Sequence, residues 1–174
     1  SFLSERIAEV ENNSPSHISL AYLPKLGQVR LRLTALGANK KSLEAEVQDY
    51  ANLIKKLIGP YFITDADLPF EKVILDFMEA RNLKLVLAES CTGGYIAHLL
   101  TSISGSSAYY LGGFVSYDNQ VKIETLKVSK ESIEDDGAVS KTVVEQMANG
   151  ARNLLKTDFA IATSGIGCVC GCRE

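Results

Sequence analysis

The chain has 174 residues, enough for one ordinary domain or for a small one beside a medium one. Hydrophobic residues make up 46% and charged residues 22%, the balance of a folded globular chain, which excludes a disordered one. A net charge of −3 argues against a general nucleic-acid binder, which needs a basic surface against phosphates, and no apolar run is long enough to cross a bilayer.

The first residues mix charges among apolar positions, unlike a signal peptide. A chain that opens on Ser1 rather than Met reads as a processed or excised piece of something longer. Of the four cysteines, Cys91 lies mid-chain and the others crowd the C-terminal end, unlike a secreted disulfide framework. A reducing cytoplasm is therefore the expected location.

In chain order, residues 1–16 read as a short amphipathic helix ending in the polar break Asn12-Asn13-Ser14-Pro15. Residues 17–23 and 28–35 read as strands joined by the turn residues Pro24-Lys25-Leu26-Gly27. Period-two alternation puts Val29, Leu31 and Leu33 on one face. Helical spacing of Leu43, Val47, Tyr50, Leu53, Ile54 and Leu57 predicts a helix over 41–57, stopped by Gly59-Pro60. A small α+β unit over 1–68 follows. The next unit, 69–166, alternates elements: helix 70–81, apolar strand 83–88, helix 95–101, extended 106–117, short helix 120–126, helix 140–156 with Ser140 as N-cap, and strand 159–162. That alternation predicts an α/β sandwich around a sheet.

The sharpest local feature is Glu89-Ser90-Cys91-Thr92-Gly93-Gly94, between a strand and a helix. Free N–H groups at a helix start can hold a phosphate or stabilise an oxyanion, and glycines let backbone approach a ligand. The plainer reading makes Ser90 or Thr92 an N-cap only. Chemically, Ser90 as nucleophile with Lys122 as base is a Ser–Lys hydrolase pair, since burial lowers a lysine's pKa toward the neutral form. Tyr117 can share their proton network or steady a leaving group. By spacing alone, Lys122 also reads as a solvated helix residue. Neither His17 nor His98 supports a His-based mechanism, and no set of side chains has metal-ligand spacing. The Cys168-x-Cys170-x-Cys172 run lacks a fourth ligand and reads as non-functional.

Taken together, Ala88-Glu89-Ser90-Cys91-Thr92-Gly93-Gly94, Gly105-Ser106-Ser107, Gly112-Gly113-Phe114-Val115-Ser116-Tyr117-x-Asn119-x-x-Lys122, Gly137-Ala138-Val139-Ser140 and Ala162-Thr163-Ser164-Gly165-Ile166 resemble the C-terminal domain of the CinA (competence/damage-inducible) family. Ile18-Ser19-Leu20-Ala21-Tyr22-Leu23-Pro24 and Val29-Arg30-Leu31-Arg32-Leu33-Thr34 resemble the family's middle domain. The resemblance implies a three-layer α/β sandwich preceded by a small α+β KH-like domain. It implies an amidase that hydrolyses the carboxamide of nicotinamide mononucleotide to nicotinate mononucleotide and ammonia, in pyridine-nucleotide salvage, with no metal and no cofactor. Ser90 then matches the nucleophile, Lys122 the general base and Tyr117 a supporting polar residue. Cys91, Thr92, Gly93, Gly94, Asn119 and Ser164 would line the substrate. The partner implied is a small-molecule nucleotide, and the family's habit implies a homo-oligomer; no membrane is expected, and nucleic-acid binding by the KH-like unit is the weaker alternative, which the acidic charge opposes. In the KH-like unit, Gly37-Ala38-Asn39-Lys40 lacks the second glycine of a GxxG clamp.

Two departures bear on these expectations. Longer family members often carry an N-terminal molybdopterin-binding-like domain, so no second activity is expected of this sequence. The family continues after Ser-Gly-Ile with Ala-Gly-Pro and further strands. Residues 167–174 instead form a divergent, Cys-rich tail that reads as a truncation or frameshift, leaving the amidase domain partial. Lower stability and a tendency to associate are expected from an uncovered sheet edge. The alternative function is an inactive CinA-like chain acting as an interaction or remnant domain.

Overall fold

The computed structural model describes residues 2–25 and 27–166, so the tail at 167–174 lies outside the described residues. Contacts divide the chain into two compact units, Ser1–Asp65 and Ala66–Glu174. Among the described residues, no helix is long and apolar enough to cross a membrane.

The first unit runs α1 (Phe2–Asn12), β1 (Ile18–Lys25), β2 (Gln28–Ala35) and α2 (Lys40–Ile58). Ile7 and Val10 of α1 and Ile54 and Ile58 of α2 sit at helical spacing and form its core. The antiparallel β1–β2 pair adds Leu20, Tyr22, Leu31 and Leu33 from one face. Val29 falls on that same face but is 46% exposed at the hairpin end. Asn39 caps α2 by accepting from the Ser42 N–H at 3.2 Å, and Gly59 ends it with a positive φ.

The second unit contains α3 (Phe70–Glu79), β3 (Leu85–Glu89), α4 (Tyr95–Thr101), β4 (Tyr110–Val115), α5 (Asn119–Leu126), α6 (Lys130–Asp136), α7 (Lys141–Leu155) and β5 (Phe159–Thr163). Its sheet is parallel, ordered β4-β3-β5, with Glu89 paired to both Val115 and Thr163. Central β3 is buried over its whole length, which is why it reads as an apolar run. Val86 and Ala88 point into a core with Leu126, Val128, Val143, Met147 and Ala151. Leu85 and Leu87 point the other way, toward Leu75, Met78, Leu100 and Tyr109. Helices therefore cover both faces, giving the three layers expected.

Two local differences from the sequence reading have physical causes. The stretch expected as extended over 106–117 opens with a 3-10 turn, Ser106–Ala108, before β4 begins. Helix α6 has only Ile133 as an apolar contact and so shows no periodicity. It is set instead by the Ser129 cap, whose hydroxyl accepts from the Ser132 N–H at 3.2 Å.

Candidate active site

The register brings the three strand ends level, so Ser90, Ser116 and Ser164 each follow immediately after a mutually paired residue of β3, β4 and β5. This is the carboxyl edge of a parallel sheet, where strand order reverses and where open α/β sheets place ligands. Ser90 is nearly buried, and its N–H donates to the Thr163 carbonyl at 3.0 Å. Its own carbonyl accepts from the Gly93 N–H at 3.1 Å, closing a tight turn. Gly93 and Gly94 both have positive φ, 59° and 96°, a region costly for other residues. Across the turn, the Thr92 and Thr163 hydroxyls are 2.7 Å apart. Cys91 is exposed and its Sγ lies against Gly165.

The helix start beyond this turn does not offer the open N–H groups expected from the sequence. Glu89, 1% exposed at the end of β3, already occupies them. Its Oε2 accepts from the Gly94 and Ile96 N–H groups at 3.1 Å each, and Oε1 accepts from Ala97 at 2.8 Å. Burial raises this carboxyl's pKa, but the Thr92 hydroxyl and the Ala97, Ile96 and Gly94 N–H groups outweigh it and hold the group below the usual carboxylate range. Within the turn, the N–H groups of Cys91 and Thr92 have no acceptor among the described residues.

Lys122 lies in α5 and is 1% exposed. Its Nζ donates to the Tyr117 carbonyl at 2.9 Å and to Asn119 Oδ1 at 3.4 Å. Desolvation pushes its pKa below the usual lysine range, opposed by the charge of Asp118. A neutral amine has two N–H donors and one lone pair, so two carbonyl acceptors leave the lone pair available as a base. Asp118 caps α5 through a 2.7 Å bond from the Gln120 N–H. At Gly150 of α7, a Cβ would stand 1.8 Å from the Leu126 carbonyl oxygen, so only glycine lets α7 lie this close to α5.

Among the expected residues, the turn Ser90 to Gly94 and Ser164 come together at one sheet edge. Ser164 Oγ donates to the Ala138 carbonyl at 3.1 Å. Tyr117 takes part through its main-chain carbonyl, for its side chain is 77% exposed. Asn119 takes part through its side-chain oxygen. No hydrogen bond joins Ser90 to Lys122, whose amine is bound instead to Tyr117 and Asn119. Neither histidine is involved: His17 pairs with Glu46 at 2.7 Å and His98 is exposed. Sequence reasoning assigned no role to Glu89 or Thr163. The signal for Glu89 was an acid ending an apolar strand, six residues before a helix start.

Residues 67–171 match the CinA C-terminal domain, and residues 1–64 match the damage-inducible protein CinA KH domain. The chain belongs to the CinA family. It is 41% identical to a CinA-like protein of Chloroherpeton thalassium over 166 residues, 95% of this chain and 40% of that protein. A CinA-like protein of Cytophaga hutchinsonii is 41% identical over 94% of this chain and 39% of its own length. The chain thus spans about two fifths of the length of the CinA-like relatives it matches. Among solved structures, a competence/damage inducible protein from Agrobacterium tumefaciens is 42% identical, with a TM-score of 0.52 covering 55% of this chain and 58% of that one. A CinA superfamily protein from Escherichia coli is 35% identical, with a TM-score of 0.55 over 63% and 67% of the two chains.

Proposed function

We propose that the chain is a Ser–Lys amidase that hydrolyses the carboxamide of nicotinamide mononucleotide to nicotinate mononucleotide and ammonia. The observation that carries this reading is the buried Lys122 amine, biased toward its neutral form by desolvation and held by two carbonyl oxygens. It lies in the first helix after β4, whose end is paired with the residue before Ser90.

In this reading Ser90 Oγ attacks the carboxamide carbon as Lys122 takes the hydroxyl proton. The Cys91 and Thr92 N–H groups meet the carbonyl oxygen as it gains charge. Lys122 passes its proton to the departing nitrogen, and ammonia leaves. Water, activated by the same amine, then releases nicotinate mononucleotide from Ser90. The positive pyridinium ring withdraws electrons from the carboxamide, and as a like charge it also favours a neutral Lys122.

The test is ammonia release from nicotinamide mononucleotide by the purified chain, with Ser90→Ala as control. Release by the wild type is expected to fall by about 10³-fold or more in the variant, the scale of losing a nucleophile. A second reading, an interaction domain without turnover, is favoured by the missing Ser90–Lys122 hydrogen bond. No release by the wild type would select it.

A further inference from the structure

Glu89 is a buried carboxylate that the chemistry above leaves unused. Burying a carboxylate is costly unless hydrogen bonds replace its water. Here they do, and they come from one short stretch of chain: the Thr92 hydroxyl and the N–H groups of Gly94, Ile96 and Ala97, the N–H bonds at 2.8 to 3.1 Å. The side chain therefore closes a loop that leaves β3 at Glu89 itself and returns to it at Gly94. Inside that loop lie Ser90 and the unoccupied N–H groups of Cys91 and Thr92. The main chain of Glu89 makes a second connection, for its carbonyl accepts from the Ser116 N–H at 2.8 Å. Ser116 is fully buried and precedes Tyr117, whose carbonyl holds the Lys122 amine. A single residue thus joins the Ser90 turn to the segment that seats Lys122.

We propose that Glu89 is the positioning residue of this site, its carboxylate holding the turn so that the Ser90 hydroxyl and the Cys91 and Thr92 N–H groups face one reacting carbonyl. The proposal rests on Ser90 being the nucleophile. A purely structural cap would affect melting and leave turnover alone. A positioning residue affects turnover more than substrate binding, because misplacement of a nucleophile by an ångström can cost about 10²-fold in rate.

The test compares wild type, Glu89→Gln and Glu89→Asp for kcat, KM and thermal melting with nicotinamide mononucleotide. Gln keeps the shape but puts an amide N–H₂ against an N–H donor. For E89Q, kcat is expected to fall at least about tenfold, with KM within about threefold and melting still cooperative. A kcat within about twofold of wild type overturns the proposal. Should E89Q not fold, E89D, which keeps the charge but is one methylene too short to span the three donors, is judged by the same criteria. If the wild type does not turn over nicotinamide mononucleotide, the amidase reading fails. Glu89 is then tested by the rate at which a fluorophosphonate labels Ser90, expected to drop at least about tenfold in E89Q. An equal labelling rate, or a wild-type Ser90 that does not react, overturns the positioning role.

Discussion

A lysine that acts as a base near neutral pH, as proposed for Lys122, has to lose its proton there, and the burial of Lys122 favours that loss. Burial removes the water that would stabilise its charge, while Asp118, four residues earlier, pulls the other way. In the proposed mechanism the neutral amine is the active form, so kcat/KM is expected to rise with pH through the lysine's depressed pKa, and the ascending limb reports it. Asp118→Asn removes the opposing charge and keeps a good N-cap for α5. That limb is expected to move to lower pH, because the charge that favours the protonated amine is gone. A limb unmoved, or shifted upward, in a pH–rate comparison of the two proteins would show that another group sets it. At this scale the sequence was only partly legible. Ser90 stands out because it sits in a glycine-ended turn. The burial of Lys122 does not, because α5 shows little amphipathic patterning and a lysine in such a helix reads as solvated.

At the scale of elements, the placing of Lys122 depends on how α5 meets α7. Gly150 lets the α7 backbone approach the last turn of α5, where the Leu126 carbonyl occupies the space a side chain would need. Leu126 also anchors α5 in the core beside Val143 and Met147. Gly150→Ala is therefore expected to cost about 1–3 kcal/mol despite alanine's better helix propensity, because the clash is with main chain. Chemical denaturation measures the cost, and equal or greater stability would contradict the contact. The proposed amidase activity should fall with it, since moving α5 moves the Lys122 amine on which the proposed mechanism depends. The sequence shows α7 plainly, from Ser140 and the Val143, Met147 and Ala151 stripe. It cannot show that Gly150 faces α5, because a glycine in a helix carries no signal of what it packs against.

Over the whole molecule, the order of strands and helices was readable because apolar runs, turns and caps alternate in the second unit, while the first shows one hairpin between two amphipathic helices. The strand order β4-β3-β5 was not readable, because it depends on pairings between segments more than seventy residues apart, such as Leu85 with Phe159. That pairing aligns the ends of β3 and β5 and brings Thr163 beside Thr92. It leaves Phe159 and Ile161 about half exposed on β5. The family matches fall on both units, and the residues of the proposed chemistry all belong to the second. The central claim is that Ser90 carries the acyl group. Acid-quenching the chain during turnover of nicotinamide mononucleotide and weighing its peptides tests this directly. The account predicts an adduct of the substrate's mass less ammonia on the peptide bearing Ser90, absent from Ser90→Ala along with ammonia release. Ammonia release that persists in Ser90→Ala would contradict it.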